Sequence, residues 1–150
     1  MPVTPDKARP PGRADYLWFT PITTRWSDND IYGHVNNVVY YSYFDSVANR
    51  YLIEEGGLDI HGGDSVALVV NSGCDYHAPL AYPQALEGAL RVDRLGNSSV
   101  TYGLAIFARG AAIASASGTF THVFVDRAAH RPVPIPQRMR RALAAIDRGL

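Results

Sequence analysis

The sequence contains very little cysteine, since Cys74 is the only one among 150 residues. A single cysteine cannot form an intramolecular disulfide or build a cysteine-based zinc site. His77 follows three residues later, but side chains three apart on an extended strand point to opposite faces. We therefore predict that Cys74 is a small apolar residue of a sheet, not a nucleophile paired with His77. The low cysteine content is typical of a reducing compartment, and we expect a cytoplasmic protein.

The chain also lacks net charge, long apolar runs and paired histidines. Lysines and arginines number 14, as do aspartates and glutamates, so charge gives no reason to expect nucleic acid or an anionic membrane as partner. No stretch approaches a membrane span, and residues 1–14, with four prolines, lack the apolar core of a signal peptide. We predict a flexible tail there. We predict no metal, because no histidine pair has the i, i+4 spacing of helical zinc sites; the histidines are His34, His61, His77, His122 and His130.

What the chain does contain is enough apolar sequence for one core. At 150 residues and 47% hydrophobic content, we predict a single domain over residues 15–150. Segments rich in aromatic and β-branched residues, bounded by glycine, proline or asparagine, predict five strands. These predicted strands cover residues 16–26, 65–76, 85–95, 99–109 and 111–125. Residues 137–148 predict a short C-terminal helix.

Residues 36–55 have the periodicity of a long helix. Tyr40, Phe44, Val47 and Tyr51 recur at i, i+4, i+7 and i+11, and Gly56 follows as a helix stop. A stripe this broad must be covered by an extensive surface. Because the later strands are joined by short connections, we expect them to pair antiparallel. The prediction is an α+β fold: one strand, one long central helix, and a four-strand antiparallel meander that wraps the helix.

A polar loop before this helix holds the residues suited to chemistry. Asp28, Asp30 and His34 precede Asn36 and Asn37, which begin the predicted helix. A helix N-terminus presents unpaired N–H groups that can hold an oxyanion, while a carboxylate nearby can act as base or nucleophile and a histidine can orient it or carry protons. The alternative is that these aspartates cap a turn, Asn36 caps the helix and His34 satisfies a loop carbonyl.

The loop resembles the hotdog-fold thioesterases of the 4-hydroxybenzoyl-CoA thioesterase type. The matching residues are Asp28, Asp30, Gly33, His34, Val35, Asn36, Asn37 and Tyr40. Weaker matches lie at residues 74–79 and 95–100, and the order of elements agrees from about residue 16 to residue 125. The resemblance implies a hotdog fold with a curved antiparallel sheet of about five strands.

The resemblance also implies roles for individual residues. Asp30 falls on the family's catalytic aspartate, which either attacks the thioester carbonyl or activates water. The thioester oxygen is expected to accept backbone N–H groups at Asn37. His34 matches a histidine in the catalytic set of plant acyl-carrier-protein thioesterases, although Tyr32 stands where those enzymes carry asparagine. We expect Asp28 to organise the turn.

Substrate contacts and assembly follow from the same resemblance. We expect Tyr32, Gly33 and Tyr40 to contact the substrate, a small acyl thioester whose coenzyme A is part of the substrate, with no separate cofactor. Arg94, Ser98 and Ser99 lie at a hairpin that resembles a carrier-binding region, or they form an ordinary exposed turn. The family implies a homodimer or homotetramer with sites at the subunit interface.

Four alternatives remain open from the sequence. The carrier is coenzyme A or an acyl-carrier protein. The chain could instead be a hydratase or dehydratase of the same fold, although such enzymes use a different spacing of aspartate and histidine. It could bind acyl thioesters without catalysis. It could also serve as an assembly subunit, which leaves the concentrated polar loop unexplained.

Overall fold

A computed structural model describes residues 9–148 of the chain. It consists of one antiparallel sheet, a long helix and a short C-terminal helix. The elements are β1 (Trp18–Thr23), α1 (Val39–Glu54), β2 (Ser65–Tyr76), β3 (Ala85–Leu95), β4 (Ser99–Ala108), β5 (Ala116–Asp126) and α2 (Gln137–Ala145). The curved five-stranded sheet wraps α1, so the predicted hotdog architecture is confirmed.

The strand order corrects one part of the prediction. Neighbouring strands run β1-β3-β4-β5-β2, so β2 pairs with β5 and not with β3, and the four-strand meander is wrong. The eight residues between β2 and β3 include Pro79 and Pro83 and do not form a tight hairpin turn. Nothing local therefore holds these two strands together, and β1 takes the place beside β3. All four strand pairs are antiparallel, as predicted.

Element boundaries differ from the predictions where side chains close turns. β1 ends at Thr23 because residues 25–28 fold into a 3-10 turn in which the Asp28 carboxylate accepts the Arg25 N–H. β5 begins at Ala116, five residues later than predicted, because a turn at 108–111 comes first. α1 begins three residues after Asn36. β4 and α2 end one and three residues before their predicted limits.

The predicted apolar stripe of α1 forms the core. Tyr40, Phe44, Val47 and Tyr51 are all at most 3% exposed and pack against the concave face of the sheet. Two glycines let the helix come close. A Cβ at Gly88 in β3 would lie 2.2 Å from Val47 Cγ2, and one at Gly118 in β5 would lie 2.7 Å from Phe44 Cε2. Larger residues at these positions would push the helix off the sheet.

The chain enters the fold earlier than the predicted boundary at residue 15. Residues 1–8, most of the predicted flexible tail, lie outside the described part, as do residues 149–150 of the predicted domain. Pro11 accepts a hydrogen bond from the Ala114 N–H, and Gly12 forms a β-bridge with Ile113. Arg13 pairs with Glu87 at 3.1 Å. Residues 11–13 are therefore part of the packed structure.

A polar pair is buried between β4 and β5. Tyr102 is fully buried and His122 is 1% exposed. The Tyr102 hydroxyl lies 3.1 Å from His122 Nδ1. Burial lowers the pKa of His122 to about 4, so the ring is neutral in the folded protein near neutral pH.

The two edge strands of the sheet differ. β1 carries Pro21 at its centre, which removes a backbone donor. β2 carries a row of exposed apolar side chains, with Leu68, Val69 and Val70 at 42%, 46% and 60% exposure. Of the helices within residues 9–148, none is both long enough and apolar enough to cross a membrane.

Candidate active site

The loop before α1 is closed by its own backbone around Asp30. The Asp30 N–H donates to the His34 carbonyl at 2.9 Å, and the Gly33 N–H donates to the Asp30 carbonyl at 3.0 Å. Asp30 Oδ1 accepts the Tyr32 N–H at 2.9 Å. Gly33 has φ +81°, a conformation that glycine adopts without strain. This turn leaves the Asp30 carboxylate half-buried, with one oxygen engaged by the loop itself.

Asp28 has the structural role that the sequence predicts. Its carboxylate is 1% exposed and accepts the Arg25 N–H at 2.8 Å, the Arg25 Nε–H at 3.1 Å and the Tyr43 hydroxyl at 2.8 Å. Burial opposes the charge, but these hydrogen bonds outweigh it and hold the pKa of Asp28 below its usual value. Asp28 therefore joins the loop to α1 through Tyr43.

A backbone N–H just before α1 is available to a ligand. The Asn36 N–H donates to the Asp28 carbonyl, and the Asn36 side chain accepts the Val38 N–H at 3.0 Å, so Asn36 closes a turn just before α1. The next N–H, that of Asn37, has no hydrogen-bond acceptor within the described residues. Unpaired N–H groups at a helix start are suited to a carbonyl oxygen or an oxyanion.

A cavity of about 380 Å³ collects four of the predicted site residues: Asp30, His34, Asn37 and Tyr40. Gly33 lines a second hollow, of about 680 Å³, which Asp30 and Trp26 also line. Tyr32 lines neither hollow and is 81% exposed. The catalytic set predicted from the sequence is thus adjacent in space, with Asp30 between two hollows.

Two residues at the end of β2, Tyr76 and His77, also line this cavity. The Tyr76 hydroxyl donates to the Asn37 carbonyl at 2.8 Å, and its ring packs edge-on against Tyr40 with centroids 5.1 Å apart. His77 also lines the cavity, and its Nε2 lies 2.8 Å from the Ser117 hydroxyl. The sequence pattern predicted only that His77 faces away from Cys74, so its position in this cavity was not predicted. The weak match at residues 74–79 was the signal available.

The residues predicted to bind the carrier of the acyl group lie away from the Asp30 cavity. Arg94, Ser98 and Ser99 sit at the β3–β4 hairpin, where Ser99 is level with Val123 of β5. The Asp30 cavity lies at the other end of the sheet, where Tyr76 is level with Ala116. One chain does not bring these two groups together. Arg140 of α2 donates to the Gly96 and Asn97 carbonyls at 2.7 and 3.0 Å and holds this hairpin against the helix.

Cys74 has the properties of a structural thiol. It is half-buried, does not line the Asp30 cavity, and has its pKa raised by burial to about 11. Within residues 9–148, no cluster of three or more histidine, cysteine, aspartate or glutamate side chains is arranged to hold a metal ion.

Comparisons with known proteins identify a family and several solved structures that are similar to this chain. The model of a family named the thioesterase-like superfamily matches residues 24–143. The crystal structure of the PA5185 protein from Pseudomonas aeruginosa shares 61% identity over 93% of this chain and 97% of that one, with a TM-score of 0.91. The PA2801 protein from the same organism shares 30% identity over 85% and 98%, with a TM-score of 0.76.

A more distant solved structure agrees in fold. The 1,4-dihydroxy-2-naphthoyl-CoA thioesterase Slr0204 from Synechocystis shares 18% identity over 84% of this chain and 94% of its own, with a TM-score of 0.75. The uncharacterized protein YsmA from Bacillus subtilis is 25% identical over 89 residues. That match spans 59% of this chain and 60% of the length of YsmA.

Proposed function

The chain belongs to the thioesterase-like superfamily, and from that membership we propose that it hydrolyses an acyl ester of coenzyme A to the free acid and the thiol. The observation that carries the proposal is the cavity shared by Asp30 and Asn37. It combines a half-buried carboxylate with a backbone N–H that has no acceptor within the described residues. These are the two groups that acyl transfer needs, a base or nucleophile and an oxyanion donor.

The reaction follows from these two groups. The Asn37 N–H polarises the thioester carbonyl and holds the negative charge that develops on its oxygen. In one route Asp30 takes a proton from water as the water oxygen attacks the carbonyl carbon. In the other, the Asp30 carboxylate attacks first and water then hydrolyses the anhydride. In both, the C–S bond breaks with its electron pair on sulphur. An acyl group trapped on Asp30 during turnover supports the second route.

His34 and Tyr40 complete the proposed site. His34 comes from the same loop and has the Asp30 N–H bonded to its carbonyl, so movement of one residue moves the other. Tyr40 lies on the buried face of α1 and gives the cavity an apolar wall against Tyr76. Gly33 keeps the turn open beside the substrate. We assign Tyr32, which is exposed in the single chain, to contact with the distal part of the substrate or with a second subunit.

A free-thiol release assay with acetyl-, octanoyl- and benzoyl-CoA tests the proposal. Wild type is compared with Asp30→Asn and with Asp64→Asn, an exposed aspartate outside the cavity. We expect wild type and Asp64→Asn to release thiol and Asp30→Asn to lose at least about 100-fold in kcat. Absence of thiol release by wild type from every ester would favour non-catalytic acyl-thioester binding. Full activity of Asp30→Asn would refute the assignment of the carboxylate.

We propose a homodimer that joins the free edges of two β2 strands. The β2 edge exposes Leu68, Val69 and Val70, whereas Pro21 interrupts the other edge at β1. A two-fold axis runs the paired strands antiparallel, so the start of one β2 lies beside the end of the other. We expect Val70→Lys to shift the mass measured by sedimentation equilibrium towards the monomer. A dimer that persists unchanged would place the interface elsewhere.

This dimer gives the carrier residues a place in the site. The β3–β4 hairpin lies at the Ser65 end of β2, so the two-fold axis turns the hairpin of one subunit towards the Asp30 cavity of the other. We propose that Arg94, Ser98 and Ser99 meet coenzyme A phosphates across the interface. Arg94→Gln should raise KM for acyl-CoA but not for the matching acyl-phosphopantetheine, which lacks the nucleotide. Equal KM values for the two esters in wild type would favour an acyl-carrier protein as the carrier.

We further propose that the reaction uses no separate cofactor and takes place in the cytoplasm.

A further inference from the structure

Two histidines line the Asp30 cavity, and they differ in how they are held. His34 is exposed, and its ring has no hydrogen bond to another side chain within residues 9–148. His77 is half-buried, and its Nε2 lies 2.8 Å from the Ser117 hydroxyl on β5. Its backbone is also fixed, because the His77 N–H donates to the Ser115 carbonyl at 2.8 Å. His77, which lies outside the motif of residues 28–40, is therefore held more rigidly than His34, which lies within it.

The bond to Ser117 determines what the His77 ring can do. With Nε2 held by the hydroxyl, the other ring nitrogen remains for a second partner, and the ring orientation is set before substrate arrives. Because the Ser117 hydroxyl can donate or accept a hydrogen bond, it fixes the orientation of the His77 ring in either protonation state and leaves the other ring nitrogen available to carry a proton. This arrangement is suited to proton transfer, which requires a fixed donor within hydrogen-bond reach of the reacting atom.

The remaining titratable groups in the cavity are less suited to give up a proton. Burial raises the pKa of both Tyr40 and Tyr76, so these phenols stay protonated. The Tyr76 hydroxyl already donates to the Asn37 carbonyl. Asp30 is engaged with the carbonyl carbon or with water in the proposed reaction. This leaves His34 and His77, of which only His77 is oriented by another side chain.

We propose that His77, oriented by Ser117, donates the proton that the sulphur takes up as the thiol leaves. This inference rests on the proposed thioesterase activity. As the C–S bond breaks, its electron pair goes to sulphur, and the N–H of the His77 imidazolium transfers its proton there, leaving a neutral ring. Where Asp30 has accepted a proton from water, that proton returns to solvent and His77 is reprotonated from solvent. Where an acyl-enzyme forms, neutral His77 accepts a proton from the water that hydrolyses it. Either way, one water and one thioester give one acid and one thiol.

The test uses the leaving group, because a proton donor matters most for thiols that leave poorly. The N-acetylcysteamine ester releases an alkyl thiol, whereas the thiophenol ester of the same acid releases a stable thiolate. We expect His77→Gln to lower kcat/KM about 100-fold for the N-acetylcysteamine ester and to change it little for the thiophenol ester. The ratio kcat/KM is used because it reports the steps up to thiol release. His61→Gln, an exposed histidine in the loop after α1, is the control and should retain both activities.

The outcomes separate this inference from the proposed function. An equal loss with both esters, or no loss with either, overturns the role of His77 while thiol release by wild type still supports a thioesterase. If His34→Gln, and not His77→Gln, lowers kcat/KM selectively for the N-acetylcysteamine ester, His34 is the residue that donates the proton to sulphur, and the role of His77 is overturned. No thiol release by wild type refutes the function and this inference together. If His77→Gln does not fold, Ser117→Ala keeps the imidazole but frees its ring, and it should show the same selectivity with a smaller loss.

Discussion

The same substitution at two aspartates two residues apart should have opposite consequences. Asp28→Asn is expected to reduce stability and to leave the reacting groups in place. Asp30→Asn is expected to abolish turnover with little effect on stability. The physical reason is that Asp28 is 1% exposed with a full set of donors around it, whereas Asp30 has one backbone donor and faces a cavity.

The size of the Asp28→Asn effect can be worked out bond by bond. An amide oxygen in place of Oδ2 still accepts the Arg25 N–H and the Tyr43 hydroxyl, but as neutral hydrogen bonds. Each such exchange costs about 1 kcal/mol, since hydrogen bonds to charged groups contribute more than neutral ones. The amide NH₂ then faces the Arg25 guanidinium, whose side chain is 69% exposed and can turn to water, so the lost ion pair adds little. The sum is about 2 kcal/mol, or a fall in Tm of roughly 4–8 °C for a chain of this length.

For Asp30→Asn the amide oxygen can still accept the Tyr32 N–H, so stability should change by no more than about 0.5 kcal/mol. Urea denaturation of both variants, followed by thiol release at a temperature where both are folded, measures the two effects separately. Tyr43→Phe provides a control. It removes one donor to Asp28, and its effect should be non-additive with that of Asp28→Asn.

A specific pattern would refute this reasoning. If Asp28→Asn were as stable as wild type but inactive, the buried carboxylate would be the reacting group and the assignment from the family motif would be reversed. If Asp30→Asn lost about 2 kcal/mol, the turn around Asp30 would depend on its charge, contrary to the single backbone bond that the structure shows.

Two further predictions concern the core. Burial holds the pKa of His122 at about 4, while an unfolded histidine ionises near pH 6.5. The free energy of unfolding should therefore be highest above pH 6.5 and decrease as the pH falls from 6.5 to 4, because the unfolded state binds a proton in this window and the folded state does not. The loss is on the order of 3 kcal/mol, and His122→Gln should flatten the dependence of the unfolding free energy on pH across this window. Gly118→Ala places a Cβ 2.7 Å from Phe44 Cε2 and closer still to the backbone carbonyl oxygen of Gly73, and it should cost about 1–3 kcal/mol in urea denaturation. Gly73→Ala, whose Cβ would meet only Thr119 Oγ1 at 3.9 Å, should cost far less; equal costs would contradict the packing argument.

The cluster of Asp30, His34, Asn37 and Tyr40 could be predicted because it spans eleven residues. A turn closed by its own backbone and the first turn of α1 are enough to bring these side chains to one cavity. The helix was equally predictable, since its apolar stripe is a local repeat and a buried face requires a sheet to cover it. In both cases the contacts that matter join residues close in sequence.

Contacts between distant residues were decided only by the tertiary structure. The composition of β2 predicts a strand but not its neighbour, and the pairing with β5 depends on how the sheet closes around α1. His77 reaches the Asp30 cavity, and Arg94 stands at the far end of the sheet, for the same reason. Sequence patterns determine which face of an element is buried, because that preference belongs to each residue. Which edges meet depends on the packing of the whole chain, because backbone hydrogen bonds are nearly the same for every possible pair of strands.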